Sequence, residues 1–223
     1  MPVKNIENPE EEEFSFALEE LPVLYRMHEA HMRILRENPC DQKILHTYSF
    51  VLKENEYQGF RFQRENTGFV ACDFECEEEA AVYLIFDELL VEGKIDPARH
   101  NLSTCNLIPV YLKKGKHHFM AIEPMSMQYI KVQCVKGSVK VSGLSLMEYV
   151  NPEAEKASFE SSDEAINRIY AAAVNTFAQN SVDIFMDCPS RERAGWLCDS
   201  FFTGRVEKDL TGDSKVEKGF LEN

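Results

Sequence analysis

The sequence predicts a β portion followed by an α portion: an antiparallel β-sandwich and then a set of amphipathic helices. Three observations carry this. From about Ile44 to Tyr149, short apolar runs recur between turn signals, the rhythm of a sandwich of about eight strands. From Ser161 onward the apolar period becomes that of a helix. Between the two, Asn151-Pro152 and a charged stretch mark a linker over residues 151–160.

The elements follow in order. Residues 1–43 form an N-terminal segment in which Leu21, Leu24, Tyr25, His28, Met32 and Leu35 keep helical spacing between Pro22 and Pro39, so a helix is expected there. The run Glu10 to Glu13 reads as a solvated acidic stretch. Residues 44–150 form the β-sandwich, with strands expected at His46 to Lys53, Gly59 to Arg64, Gly68 to Cys76 and Ala80 to Leu90. Four more are expected at Leu107 to Lys113, His117 to Ile122, Tyr129 to Val135 and Val139 to Tyr149. Val70, Cys72, Phe74 and Cys76 alternate cleanly, which assigns them to one face of a strand. Lys113-Lys114-Gly115-Lys116 reads as a turn.

Residues 161–223 carry the helices. Ser161 and Glu164 form a capping-box pattern, and Ile166, Ile169, Tyr170, Ala173, Val174 and Phe177 follow with helical spacing. A second helix is expected from Trp196 through Leu210, stopping at Gly212, and a third opens at Asp213 or Ser214.

Composition limits the function. At 223 residues with 44% hydrophobic content, the chain holds one large or two modest cores. A formal net charge of −14 argues against binding nucleic-acid backbones or an anionic membrane surface, while a neutral sugar is compatible with it. No apolar run approaches a membrane span, and Met1 is followed by polar residues instead of a signal peptide. The seven cysteines, at positions 40, 72, 76, 105, 134, 188 and 198, include no CxxC pair. Most of them read as reduced, partly buried thiols, as in a cytoplasmic protein. His117-His118 would point to opposite faces of a strand, so neither a metal site nor any cofactor is expected.

The chemistry concentrates between Asp187 and Asp199. Asp187-Cys188-Pro189-Ser190-Arg191-Glu192-Arg193-Ala194-Gly195-Trp196-Leu197-Cys198-Asp199 packs three carboxylates, two guanidinium groups and the only tryptophan into thirteen positions. Sugar cleavage uses a carboxylic acid to protonate the leaving oxygen, polar groups to grip hydroxyls and an aromatic face to lie against the ring. A salt-bridged surface turn with a core tryptophan is the plainer alternative. If the chain is helical from about Arg191, then Glu192, Trp196 and Asp199 fall at i, i+4 and i+7 on one face. Asp187 then approaches that face from the loop before Pro189. Cys188 has no histidine near it in sequence and reads as a loop residue.

This segment resembles the signature of the α-L-rhamnosidases of glycoside hydrolase family 78, Asp-Cys-Pro-x-Arg-Asp-Glu-Arg-x-Gly-Trp with an Asp three residues later. Asp187, Cys188, Pro189, Arg191, Glu192, Arg193, Gly195, Trp196 and Asp199 match it. The chain departs by lacking the Asp between the Arg and the Glu, which unsettles the placement of Arg191. Phe202, Thr203, Gly204 and the turn Thr211-Gly212-Asp213 continue the resemblance, and Asn66 to Val70 resembles the early strands of the family's jelly-roll-like sandwich.

The resemblance implies that Glu192 is the general acid, with Asp187, Arg191, Trp196 and Asp199 binding or orienting rhamnose. An apolar Trp196 wall with Asp187 and Asp199 nearby would raise the acid's pKa, and pairing with Arg191 or Arg193 would lower it. The family is inverting, so a second carboxylate should stand roughly 6.5 to 9.5 Å away and activate water. In the family that base lies far downstream, and Glu207, Glu217 and Glu222 read as solvated helix residues.

The implied fold class is therefore multidomain, β then α: an antiparallel, jelly-roll-like β-sandwich followed by the first helices of an incomplete α/α toroid. The chain reads as the N-terminal part of a larger enzyme, inactive by itself, with Phe201, Phe202, Val206, Phe220 and Leu221 partly uncovered. Two other readings stay open: a toroidal glycosidase acting on a different sugar, and a non-catalytic carbohydrate-binding sandwich.

Overall fold

A computed structural model describes residues 49–90, 95 and 105–222. The expected N-terminal helix, the acidic run and Cys40 lie outside the described residues. The chain divides into two compact units, one up to Met147 and the other from Glu148.

The first unit is an antiparallel β-sandwich. Its strands are β1 (Ser49–Lys53), β2 (Tyr57–Cys76), β3 (Ala80–Asp87), β4 (Leu107–Leu112), β5 (Gly115–Met120), β6 (Met125–Lys136) and β7 (Ser138–Glu148). They run in the order β1-β7-β2-β6-β3-β4, with β5 paired to β2. Seven strands are described where about eight were expected, because two expected strands are one. Gly59 to Arg64 and Gly68 to Cys76 both belong to the long β2. Its first part pairs with β6, the register shifts between Arg61 and Asn66, and from Ala71 to Cys76 its partner is β5. A bulged strand that changes partners in this way turns the corner of a sandwich without breaking.

The alternation in β2 behaves as the sequence predicts: Val70, Cys72, Phe74 and Cys76 are all buried in the main core. Phe60, Leu84, Ile130, Val132, Val139 and Val141 join them there. Burial pushes the Cys134 thiol up to about 11, so it stays protonated at neutral pH.

β3 is buried on both faces. Val82, Leu84 and Phe86 enter the main core, while Tyr83 and Ile85 enter a second cluster with Tyr57 and Ile95. That second face holds a cation. Lys131 on β6 pairs across to Gly59 on one side and Ile85 on the other. Its side chain is fully buried, with Nζ 5.3 Å from the centre of the Tyr57 ring. Neither Lys131 Nζ nor the nearby Gln133 Oε1 has a hydrogen-bond partner among the described residues. Burial accordingly drives the Lys131 pKa down to about 7.

The second unit is helical. The residues expected as a linker open with a 3-10 helix, Pro152–Lys156, capped by the Asn151 side chain, and Ala154 is fully buried in this unit's core. Three α-helices follow: α1 (Glu164–Asn180), α2 (Leu197–Thr211) and α3 (Lys215–Glu222).

The capping box expected at Ser161 and Glu164 does not form. Asp163 is the N-cap of α1 and accepts from the Ala165 N–H at 2.9 Å, while the Ser161 hydroxyl accepts from the Asp163 N–H. A carboxylate directly before the first turn reaches the orphan amides with less chain than a serine two residues earlier. Tyr170, Val174 and Phe177 face the core, whereas Ile166, Ile169 and Ala173 do not.

Helix α2 starts one residue later than expected and ends on Gly212, whose left-handed φ of 77° lets its N–H reach the Lys208 carbonyl. Its buried stripe is Ser200, Gly204, Glu207 and Leu210. Phe201, Phe202 and Val206 lie off that stripe and are exposed, as is Leu221, while Phe220 packs inward. No helix among the described residues is long and apolar enough to cross a membrane.

Candidate active site

The charged segment is a closed loop between α1 and α2, and its neck is built by the backbone. Ser181 and Phe185 form an isolated antiparallel bridge, and the Met186 N–H donates to the Asn180 carbonyl at 2.8 Å. The Asp187 N–H donates to the Ala194 carbonyl at 3.0 Å, and the Ala194 N–H returns to Asp187 Oδ1 at 3.0 Å. Asp187 is therefore the residue that closes the loop. Partial burial works against its charged form, but the amides of Ala194 and Cys188 and the Cys188 thiol outweigh it. They hold the carboxyl below the usual aspartate range.

The condition for a shared face, a chain helical from about Arg191, is not met. Pro189 to Glu192 form turns, Arg193 adopts a left-handed φ of 52°, and α2 begins only at Leu197 with Trp196 as its N-cap. A right-handed helix cannot pass through a left-handed residue. Glu192 and Trp196 nevertheless meet, by a hydrogen bond instead of a shared helical face. The indole Nε1–H donates to Glu192 Oε2 at 2.9 Å, and Arg191 Nη2 lies 3.3 Å from Glu192 Oε1.

Trp196 thus touches Glu192 through its N–H edge, not as an apolar wall, and Glu192 is exposed. Trp196 as a whole residue is 54% exposed, so it stands open to solvent beside a carboxyl group. Asp199 sits exposed in the first turn of α2, where its carbonyl accepts from the Thr203 hydroxyl. No hydrogen bond or ion pair joins Asp199 to Glu192 among the described residues.

Of the five residues singled out from the sequence, the loop therefore brings together Arg191, Glu192 and Trp196. Asp187 sits at the loop's neck and Asp199 one helical turn beyond. The support beneath the loop was not visible in the sequence. A Cβ on Gly195 would come within 2.4 Å of Phe220 Cε2, so α3 lays a ring directly on the loop backbone. That ring also packs on Phe185, with centroids 5.8 Å apart. The only sequence signal was that Phe220 and Leu221 are apolar positions of a short helix. Gly195→Ala should accordingly destabilise the helical unit by about 1–3 kcal/mol. A chemical-denaturation midpoint equal to that of the unaltered chain would contradict this packing.

Residues 154–223 match the family model of the bacterial alpha-L-rhamnosidase 6 hairpin glycosidase domain. Among solved structures, a rhamnosidase from Klebsiella oxytoca with rhamnose bound superposes with a TM-score of 0.65 at 17% identity, covering 76% of this chain and 36% of that one. A family 78 rhamnosidase of Bacillus sp. GL1 gives 0.62 at 20% identity, covering 73% and 17%. An alpha-L-rhamnosidase from Dictyoglomus thermophilum gives 0.54 at 17% identity, covering 72% and 19%.

These likenesses show the fold, an antiparallel β-sandwich followed by the opening helices of an α/α toroid. The chain spans only about a third or less of the length of those structures. No curated protein sequence matches it. Over residues 154–223, the chain is similar to the six-hairpin glycosidase domain of the bacterial α-L-rhamnosidases.

Proposed function

We propose that this chain supplies the acid side of an inverting glycoside hydrolase that releases terminal α-L-rhamnose from glycosides. One observation carries the reading: Glu192 is held between the Arg191 guanidinium and the Trp196 N–H, and Trp196 is exposed. That arrangement puts a carboxyl group next to an aromatic ring against which a sugar can lie, and in this reading the carboxyl donates its proton once Arg191 turns from it to the sugar. Arg191, Asp187 and Asp199 then bind or orient the sugar hydroxyls.

In this reading the water-activating carboxylate comes from outside these 223 residues, and the chain alone turns over no rhamnoside. A cytoplasmic setting belongs to the proposal too, supported by the free thiols of Cys72, Cys76, Cys134, Cys188 and Cys198. The test is an assay of the complete reading frame on aryl α-L-rhamnoside beside other aryl glycosides. Cleavage of the rhamnoside, with inverted configuration in the released sugar, is the expected result. Cleavage of another glycoside alone would assign the toroid to a different sugar, and no cleavage of any would overturn the enzymatic reading.

A further inference from the structure

Glu207 reads from the sequence as a solvated helix residue, but it is only 1% exposed. Its two carboxylate oxygens accept from successive amides of α3, Val216 N–H at 2.8 Å and Glu217 N–H at 3.0 Å. The first amides of a helix have no partner inside it, and the positive end of its dipole favours an anion there. Glu207 on α2 therefore satisfies the start of α3 from a neighbouring element.

Helix α3 in turn bears on the loop. The Phe220 ring rests against Phe185, just before Asp187, and against Gly195, just before Trp196. One ring thus seats both ends of the segment that carries Glu192, while the hydrogen bonds between Asp187 and Ala194 close its neck.

We propose that Glu207 is a positioning residue, which acts through α3 and Phe220 to set the loop that presents Glu192 and Trp196. The catalytic consequence rests on reading Glu192 as the acid; the positional one does not.

Trp196 is the only tryptophan in the chain and hydrogen-bonds to Glu192, so its emission reports on this loop. In Glu207→Gln, one amide faces an NH2 group instead of an acceptor. Trp196 emission should shift and its quenching by acrylamide change by about twofold or more as the loop opens locally, with the far-UV helical signal kept. Phe220→Ala should reproduce the change, and Glu160→Gln, an exposed substitution before α1, should not. Folded Glu207→Gln and Phe220→Ala proteins with the emission and quenching of the unaltered chain would overturn the proposal.

Should both variants fail to fold, hydrogen exchange on the unaltered chain decides. The Ala194 and Val216 amides should open together, with protection within about tenfold of each other. Ala194 exchanging about a hundredfold faster than Val216 would overturn the coupling. Neither readout requires turnover, so an absence of rhamnoside cleavage leaves this result standing, and the converse holds as well.

Discussion

Replacing Glu192 with glutamine is expected to lower kcat of the complete enzyme on an alkyl α-L-rhamnoside by about 10²- to 10⁴-fold, the usual contribution of a positioned general acid. The substitution is close to isosteric. A glutamine carbonyl still accepts from Trp196 Nε1–H, which donates to Glu192 at 2.9 Å, so the platform stays in place. What disappears is the transferable proton, together with the ion pair to Arg191. KM should change little, because sugar binding falls to the other residues of the loop. A variant with unaltered kcat would show that Glu192 is only a partner for Trp196 and Arg191.

The second large effect lies in the β-sandwich. Lys131→Met should stabilise the first unit by about 1–3 kcal/mol at neutral pH, because a buried cation with no hydrogen-bond partner among the described residues is exchanged for an apolar chain of similar length. The pH dependence gives a sharper check. With a folded pKa near 7 against an ordinary value of 10.5, the folded state sheds the Lys131 proton before the unfolded state does. The penalty, on the order of a few kcal/mol, is fully present below about pH 7 and fades as pH rises towards 10.5. The unaltered protein should therefore gain stability relative to Lys131→Met between pH 7 and 10. Urea midpoints that run parallel for the two proteins across that range would show that Lys131 is solvated or paired.

Several features were legible in the sequence because they are local. The alternation Val70, Cys72, Phe74, Cys76 reports a strand with one buried face, and Gly212 reports a helix end that needs a left-handed residue. Others depend on partners far along the chain. Glu65-Asn66-Thr67 falls between two expected strands, but β2 runs through it, because β6 and β5 take its edge in succession.

The candidate site shows the same division. The residue types of Asp187 to Asp199, with their family resemblance, point to a sugar and an acid. Their geometry does not come from the helical spacing that Glu192, Trp196 and Asp199 suggest. It comes from the left-handed Arg193 and from the Asp187 carboxylate closing the loop on Ala194. Glu207 was misread for a related reason: a charged residue on a helix looks solvated until another helix brings unsatisfied amides against it.

The role of Glu192 is tested most directly by comparing leaving groups in the Glu192→Gln enzyme. An alkoxide departs only if it is protonated, whereas a dinitrophenolate departs without help. The expected result is that the variant loses most of its rate on an alkyl α-L-rhamnoside and much less on the dinitrophenyl rhamnoside. Equal losses on both substrates, or none on either, would contradict Glu192 as the proton donor.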